Sequence, residues 1–266
     1  MKVALLPAAA VAAFVVWGAA APRPAHGTAA RPVAADPDPR AKDAEPLPDF
    51  PKADPKNTPV ALNPEKTLFV ELTPEKKVLR VVLSAEVCLR EGPLEVFLCK
   101  RGTKEHEAVV RVDADAKFIH AALETAGAKA GGPPQFVNPK TNEPEFKAAT
   151  GTKVRVLVNY RMGGKVHTHP AQEWVWNSKT KKALDGEWVF AGSQLLRDPD
   201  EPARPPFYGA NSGEVISVSN FPYSLLDLTT EISKDDANLN YEAKTARIPP
   251  QFSKVWVILE PVAAKK

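Results

Sequence analysis

The chain lacks the short motifs that mark several large enzyme classes. It has no G-x-S-x-G nucleophile elbow, no G-x-x-x-x-G-K-[ST] phosphate-binding loop, no glycine fingerprint for dinucleotides and no H-E-x-x-H zinc motif. Ser193 follows a glycine, but the sequence places no histidine and acid in a recognisable arrangement with it. These absences argue against the corresponding chemistries.

The chain also lacks a strong charge of either sign. Its 35 lysines and arginines are offset by 32 acids, which leaves a formal net charge of +3 over 266 residues. The basic residues are scattered among the acids, whereas a nucleic-acid binding domain normally shows a basic stripe or cluster. We therefore predict no nucleic-acid partner, and the sequence identifies no other partner.

A long apolar run occurs only at the N-terminus. Lys2 is followed by the apolar stretch Val3–Ala21, and Ala25-His26-Gly27 supplies a small-x-small cleavage site. A basic start, an apolar run and such a site are typical of a signal peptide. We therefore predict a signal peptide over residues 1–27 and a protein exported to the periplasm, the cell envelope or the extracellular space. The alternative is an uncleaved anchor, which would be the chain's only link to a membrane.

The next segment, residues 28–64, is rich in proline and alanine and shows neither helical nor strand periodicity. Segments of this composition stay extended and lack the apolar mass to fold alone. We therefore predict a disordered linker that joins the export signal to a folded domain over residues 65–262.

The domain opens with a strand pattern. Apolar side chains alternate along residues 77–90, and a period of two predicts a β-strand. Gly92 and its neighbours indicate a turn, after which residues 95–100 are expected to return antiparallel to the first strand. In a symmetric register, Cys88 would then face Cys99.

One helix and further strands follow. Asp113 or Asp115 is expected to cap a helix that runs to about Ala126 and ends at Gly127. Several mostly antiparallel strands with one clear helix predict a single β-rich α+β domain. The further strands are predicted at Lys153–Tyr160, Lys165–Trp176, Trp188–Leu196, Glu214–Asn220 and Lys254–Glu260.

Cys88 and Cys99 are the only cysteines. An even number of cysteines in an exported protein favours a disulfide, and the inferred register would allow one. A redox-active pair would more often show C-x-x-C spacing, which is absent. A disulfide is the preferred interpretation, with a redox or metal-binding role as the alternatives.

Two further groups of residues could carry chemistry. Glu105, His106 and Glu107 are consecutive ionisable side chains, which could act as acid, base or ligand. His167 and His169 are spaced to lie on one strand face, as a zinc or copper site requires. If Gly163-Gly164 forms a two-residue turn, His167 faces Tyr160 and His169 faces Val158, with Glu173 as the only further local ligand. His120 lies on a polar helix face, and we expect it to be solvated.

Several short stretches resemble recurring stretches of the YdjY domain family of exported bacterial proteins. They occur in the expected order between residues 78 and 261, so that the resemblance covers nearly the whole domain. That family has no established activity, and the resemblance therefore supports the domain prediction and little else. The stretches are Gly92-Pro93-Leu94-Glu95, Cys99, Thr103-Lys104-Glu105-His106-Glu107, Phe190-Ala191-Gly192-Ser193 and Ser219-Asn220-Phe221-Pro222.

An iron–sulfur label has been attached to members of that family, and this sequence argues against it. Such clusters normally take four cysteine thiolates, whereas this chain has two cysteines. We predict no cofactor, and a transition metal at His167 and His169 remains an open alternative.

The sequence therefore favours an uncharacterised exported protein that acts as a non-enzymatic binding or structural module. The first alternative is a metal-binding or redox protein that uses His106, His167 and His169, with or without Cys99. The second is a hydrolase with an unrecognised site around residues 105–107.

Overall fold

The computed structural model describes residues 39–138, 140–232 and 240–263, all of which belong to one compact unit. The expected signal peptide and the first part of the expected linker lie outside these residues. The strands are β1 (Thr58–Ala61), β2 (Leu68–Leu72), β3 (Val78–Val87), β4 (Val96–Lys100), β5 (Ala108–Val112), β6 (Gln135–Val137), β7 (Pro144–Lys147), β8 (Lys153–Met162), β9 (Lys165–Pro170), β10 (Val175–Asn177), β11 (Lys182–Ala183), β12 (Trp188–Phe190), β13 (Leu195–Leu196), β14 (Phe207–Tyr208), β15 (Ile216–Ser217), β16 (Leu226–Leu228), β17 (Tyr241–Ala243) and β18 (Lys254–Pro261). The helix is α1 (Ala116–Thr125), and short 3-10 segments lie at Pro39–Asp43, Ala171–Trp174, Gly209–Ser212 and Thr245–Arg247.

The main sheet closes into a barrel. Its strands follow the order β3, β18, β8, β12, β16, β15, β4 and β5, and β5 pairs with β3 to complete the circuit. Most pairs are antiparallel, while β4–β5 and β15–β16 are parallel. Outside the circuit, β2 and β1 extend the sheet from β3, and β9 extends it from β8. The inward side chains of the strands form one large buried cluster, as the alternation along residues 77–90 predicted.

The α+β prediction is wrong, because the described residues form a mostly β protein with a single ten-residue helix. A closed sheet buries its inner face against itself and needs no helical layer to cover it. Among the described residues, no helix is both long and apolar enough to cross a bilayer.

The expected hairpin of residues 77–100 is also wrong. β4 does not pair with β3, because β5 lies between them, antiparallel to β3 and parallel to β4. The chain around the expected turn instead reaches β17, where the Leu94 N–H donates to the Tyr241 carbonyl at 2.9 Å. A turn signal fixes where a strand ends, but it does not fix the strand with which the next one pairs.

Two local predictions are confirmed. Asp115 caps α1, since its side chain accepts from the Lys117 N–H, and Gly127 follows the helix at φ +85°. The β8–β9 hairpin turns at Gly163-Gly164, with the expected pairing of Tyr160 to His167. Both depend on residues that are close in sequence.

The structured domain begins earlier than residue 65, where the sequence analysis placed its boundary. Residues 44–57, here called the N-terminal segment, cross the outside of the barrel, and β1 then pairs with β2. The indole N–H of Trp256 donates to the Pro48 carbonyl at 3.0 Å, and the Phe50 ring packs edge-on against Trp256. Composition hides this because the segment forms no core of its own but places a few apolar side chains, such as Leu47 and Phe50, on the barrel.

Candidate functional site

Five side chains from distant parts of the chain meet beside β4 and β5, and we call them the Lys104 cluster. The Lys104 ammonium contacts the Glu95 carboxylate, lies 3.0 Å from Glu107 Oε1 and sits 4.7 Å from the centre of the Phe221 ring. Glu214 faces the same three charged groups. The cluster therefore combines parts of three of the family-like stretches with one acid that lies outside them.

Backbone contacts explain why these residues converge. The Glu95 N–H donates to the Glu107 carbonyl at 3.1 Å, which holds the starts of β4 and β5 together. Gly213, at φ +131°, lies so close to Lys104 that an added Cβ would come within 2.9 Å of its Cγ. This close approach places Glu214 near Lys104. Position 213 requires glycine because its φ is positive and a Cβ there would meet the Lys104 side chain.

The pKa values of Lys104 and Glu214 are both raised, but for different reasons. Burial alone would lower the pKa of Lys104, but hydrogen bonds to Glu95 and Glu107 outweigh burial and raise that pKa. For Glu214, burial raises the pKa, and the nearby Glu95 and Glu107 carboxylates raise it further against the opposing effect of Lys104. The lysine is thus held as a cation, while Glu214 takes up a proton more readily than an ordinary glutamate does.

The run Glu105-His106-Glu107 does not converge. The run forms turns, and Glu105 points to the Arg111 guanidinium and to the Gly102 N–H. Glu107 joins Lys104, whereas His106 is 79% exposed and approaches only Glu107, at 3.7 Å. The geometric basis for a hydrolase at these three residues is therefore missing.

Cys88 and Cys99 lie close together although their strands do not pair. Both are buried as free thiols in a small apolar cluster with Val96, Ala108 and Phe221. A hydrogen bond with Cys99, together with burial, raises the pKa of the Cys88 thiol. The disulfide itself stays a prediction.

Ser193 joins three segments of the chain. Its hydroxyl donates to the Tyr223 carbonyl at 2.6 Å and accepts from the Ala210 N–H at 2.9 Å. Ser193 has a left-handed backbone, at φ +54°, and follows Gly192 at φ +91°. An added Cβ on Gly192 would come within 2.7 Å of the Ala130 Cβ. This stretch therefore serves as a packing and hydrogen-bonding junction, and Ser193 is not a free nucleophile.

Asn220 and Asp227 form a second junction. Asp227 is fully buried and accepts from the Asn220 side chain at 2.9 Å, the Phe221 N–H at 3.1 Å and the Leu228 N–H at 2.7 Å. Burial raises the pKa of Asp227 to about 7 against these donors. Asn220 also accepts from the Ile232 N–H at 2.7 Å. This network fixes the loop between β15 and β16.

The expectation that His120 is solvated is wrong, because its side chain is only 22% exposed. The Tyr208 hydroxyl donates to the Gly192 carbonyl at 2.8 Å, and His120 Nδ1 lies 2.8 Å from that hydroxyl and 3.1 Å from that carbonyl. A hydroxyl has one proton and a carbonyl has none, so Nδ1 must carry the ring proton. Nε2 is left facing Glu124, at 3.6 Å. Helical spacing could not predict the contact with Tyr208, because Tyr208 in β14 lies 88 residues further along the chain.

His167 and His169 share one face, as the register predicted. Their rings stack 5.9 Å apart, and His167 also stacks on Tyr160. Glu173 Oε2 lies 3.4 Å from His169, but the Arg247 guanidinium also binds it at 2.7 Å. Across the described residues, no three histidine, cysteine or acidic side chains are spaced to hold a metal ion as they stand. Metal binding at this pair stays a prediction.

Two clefts on the described residues lie elsewhere. The larger, of about 980 Å³, lies between the end of α1 and the end of β18, with Ala130, Thr152 and Val262 among its walls. The smaller lies on the β6–β7 hairpin. Neither is lined by the Lys104 cluster or by the Ser193 and Asp227 junctions.

Sequence reasoning missed Glu214, Tyr208 and Asp227. Each acts through partners that are contributed by other strands or loops, and no motif surrounds Glu214. The sequence gives one signal that Asp227 is buried: it stands between the apolar residues Leu225, Leu226 and Leu228.

Comparison with known proteins agrees with the motif resemblance. The family model of the YdjY domain matches residues 72–260. No significant match was found among curated proteins or among solved structures. Because the family match spans well over half of the sequence, the chain belongs to the YdjY domain family.

Proposed function

We propose that this chain is an exported, non-enzymatic binding or structural module of the cell envelope. The observation that carries the proposal is that most polar side chains of the family-like stretches are bonded within the fold, with His106 as an exposed exception. Lys104 is bonded to two glutamates, Ser193 to two loops and Asn220 to a buried aspartate. Catalytic groups would instead be directed towards a cleft where a substrate can reach them.

The proposal predicts that these side chains maintain the fold. We expect Ser193→Ala and Asn220→Ala each to lower the free energy of unfolding by about 1–3 kcal/mol, because each leaves buried groups without partners. His106→Ala is the matched control, and we expect it to change stability by less than about 0.5 kcal/mol because the side chain is exposed. Urea unfolding of the purified domain measures all three.

Two results would count against the proposal. Junction variants as stable as the parent would mean that Ser193 and Asn220 are kept for another purpose. Turnover of a substrate by the purified domain, abolished by Glu105→Gln or His106→Ala, would replace the binding module with an enzyme.

Export is supported by the basic start, the apolar run and the small-x-small site of residues 1–27. Intact mass of the protein recovered from the cell envelope tests this directly. We expect a chain that begins at Thr28, with Cys88 and Cys99 oxidised and two hydrogens lost. A full-length mass would instead favour the uncleaved anchor.

A second candidate function, transition-metal binding, is favoured by the position of His167 and His169 on one face beside Glu173. Glu173 would have to exchange its bond with Arg247 for the metal. Calorimetric titration with zinc and copper salts should show binding that is lost in His167→Ala and His169→Ala and retained in His106→Ala. Equal binding by all three variants would reject the site.

A further inference from the structure

Glu214 is a buried acid with an unsatisfied oxygen. The Glu214 residue is 8% exposed. Its side-chain oxygen Oε2 is fully buried and has no hydrogen-bond partner in the described part of the chain. Its backbone is well held, since the Glu214 carbonyl accepts from the Leu225 N–H at 3.0 Å. A buried carboxylate without a partner is costly, so that a side chain in this position has to be neutralised.

The neighbouring charges cannot neutralise it. The charged groups that face Glu214 are Lys104 from the turn after β4, Glu95 from the start of β4 and Glu107 from the start of β5. Lys104 is already bonded to both of the other glutamates. His106, which lies beside the Lys104 cluster, approaches Glu107 and is mostly exposed. Three carboxylates around one ammonium leave excess negative charge, which is relieved by a proton on Glu214, the acid of the three to which Lys104 is not bonded.

The segment that carries Glu214 is also tied to Lys104. Residues 213–228, here called the latch segment, place Gly213 against the lysine stem and the Phe221 ring beneath its ammonium. The Phe221 N–H is in turn bonded to Asp227. An ionised Glu214 would be driven towards water, and its exit would separate Gly213 from Thr103 and Lys104.

We propose that Glu214 is the proton-binding group of a pH-sensitive latch, in which the neutral carboxyl keeps the latch segment closed on Lys104 and the carboxylate opens it. The raised pKa of Glu214, caused first by burial and then by Glu95 and Glu107, agrees with this. A raised folded-state pKa contributes stability that is complete below the unfolded value and is lost as pH rises through the folded value. The latch is therefore closed below the ordinary glutamate value and opens as pH rises through the raised pKa of Glu214.

Hydrogen exchange of the latch segment tests the proposal. In an Asp227→Asn background, which removes the other titrating acid of the segment, and after correction for intrinsic rates, we expect protection of residues 213–228 to fall by up to about tenfold per pH unit as pH rises above about 4.3. In the same Asp227→Asn background, Glu214→Gln mimics the neutral carboxyl and should keep its protection within about twofold over that range. Glu201→Gln removes the same charge from an exposed side chain and should behave as the parent.

Asp227→Asn separates the two buried acids of the segment. If Asp227→Asn alone removes the loss of protection, Asp227 is the trigger and the proposal is overturned. A parent protein whose latch segment keeps its protection as pH rises above about 4.3 would also overturn it.

A carboxyl carbon NMR titration of the parent protein needs no variant and covers the case in which Glu214→Gln does not fold. We expect one glutamate resonance to titrate clearly above the ordinary value of about 4.3. If every glutamate titrates near that value, the proposal fails.

Discussion

At the scale of single residues, Asp227 shows how burial can oppose hydrogen bonding. Three N–H groups donate to its carboxylate, yet burial raises its pKa to about 7. The donors fix the position of the side chain, while the missing water makes its charge costly. The same residue is therefore a junction of the fold and a source of pH dependence.

We predict that Asp227 makes stability fall as pH rises. Its folded pKa of about 7 lies above the ordinary aspartate value of about 3.9, so that its contribution is complete below about pH 4 and is lost by about pH 7. Asp227→Asn should remove this slope, which is at most about 1.4 kcal/mol per pH unit for one proton. Urea unfolding at several pH values measures the slope, and Asp185→Asn, which alters an exposed acid, is the control. Equal slopes in the parent and Asp227→Asn would contradict the prediction.

Gly192 illustrates a steric requirement at the same scale. We predict that Gly192→Ala lowers the free energy of unfolding by about 2 kcal/mol or more, because the new Cβ would meet Ala130 and the backbone is left-handed. Gly163→Ala is the matched control, since Gly163 is also left-handed but has open space around it. Urea unfolding should show the larger loss for Gly192→Ala, and equal losses would mean that the Ala130 contact is relaxed in solution.

At the scale of elements, sequence reasoning succeeded where the determinants are local. The Asp115 cap and Gly127 bound α1, and the Gly163-Gly164 turn fixes the register of β8 and β9. It failed for β4, since nothing near Gly92 indicates that β5 will insert between β3 and β4. The residue pattern of a strand does not indicate with which distant strand it will pair.

The N-terminal segment is the element whose sequence and structure differ most. We predict that Phe50→Ala lowers the free energy of unfolding by about 1–2 kcal/mol, because the Phe50 ring packs edge-on against Trp256 and Phe69. Asp49→Ala, at an exposed neighbour, should change it by less than about 0.5 kcal/mol. If both variants match the parent in urea unfolding, the segment is a linker in solution, as its composition suggested.

At the scale of the whole molecule, closure of the barrel explains why the candidate site could not be read from the sequence. The Lys104 cluster gathers side chains from the starts of β4 and β5 and from the loops on both sides of β15. Lys104 and Glu107 were visible as a motif, but Glu214 joins them through the antiparallel pairing of β15 with β4. The family and the β-rich domain were predictable, whereas the closed topology and the identity of the buried acids were not.

At this scale, we propose that the family-like stretches hold the barrel together. Native-state hydrogen exchange at about pH 4, where the latch segment is expected to be closed, provides the test when the denaturant is raised in small steps. We predict that the amides of residues 190–193 and 218–228 exchange only through global unfolding, with the same free energy as the central amides of β18. Exchange of these stretches through local opening, well below the global free energy, would contradict the claim and would mark them as mobile loops of the kind that bind or act on a ligand.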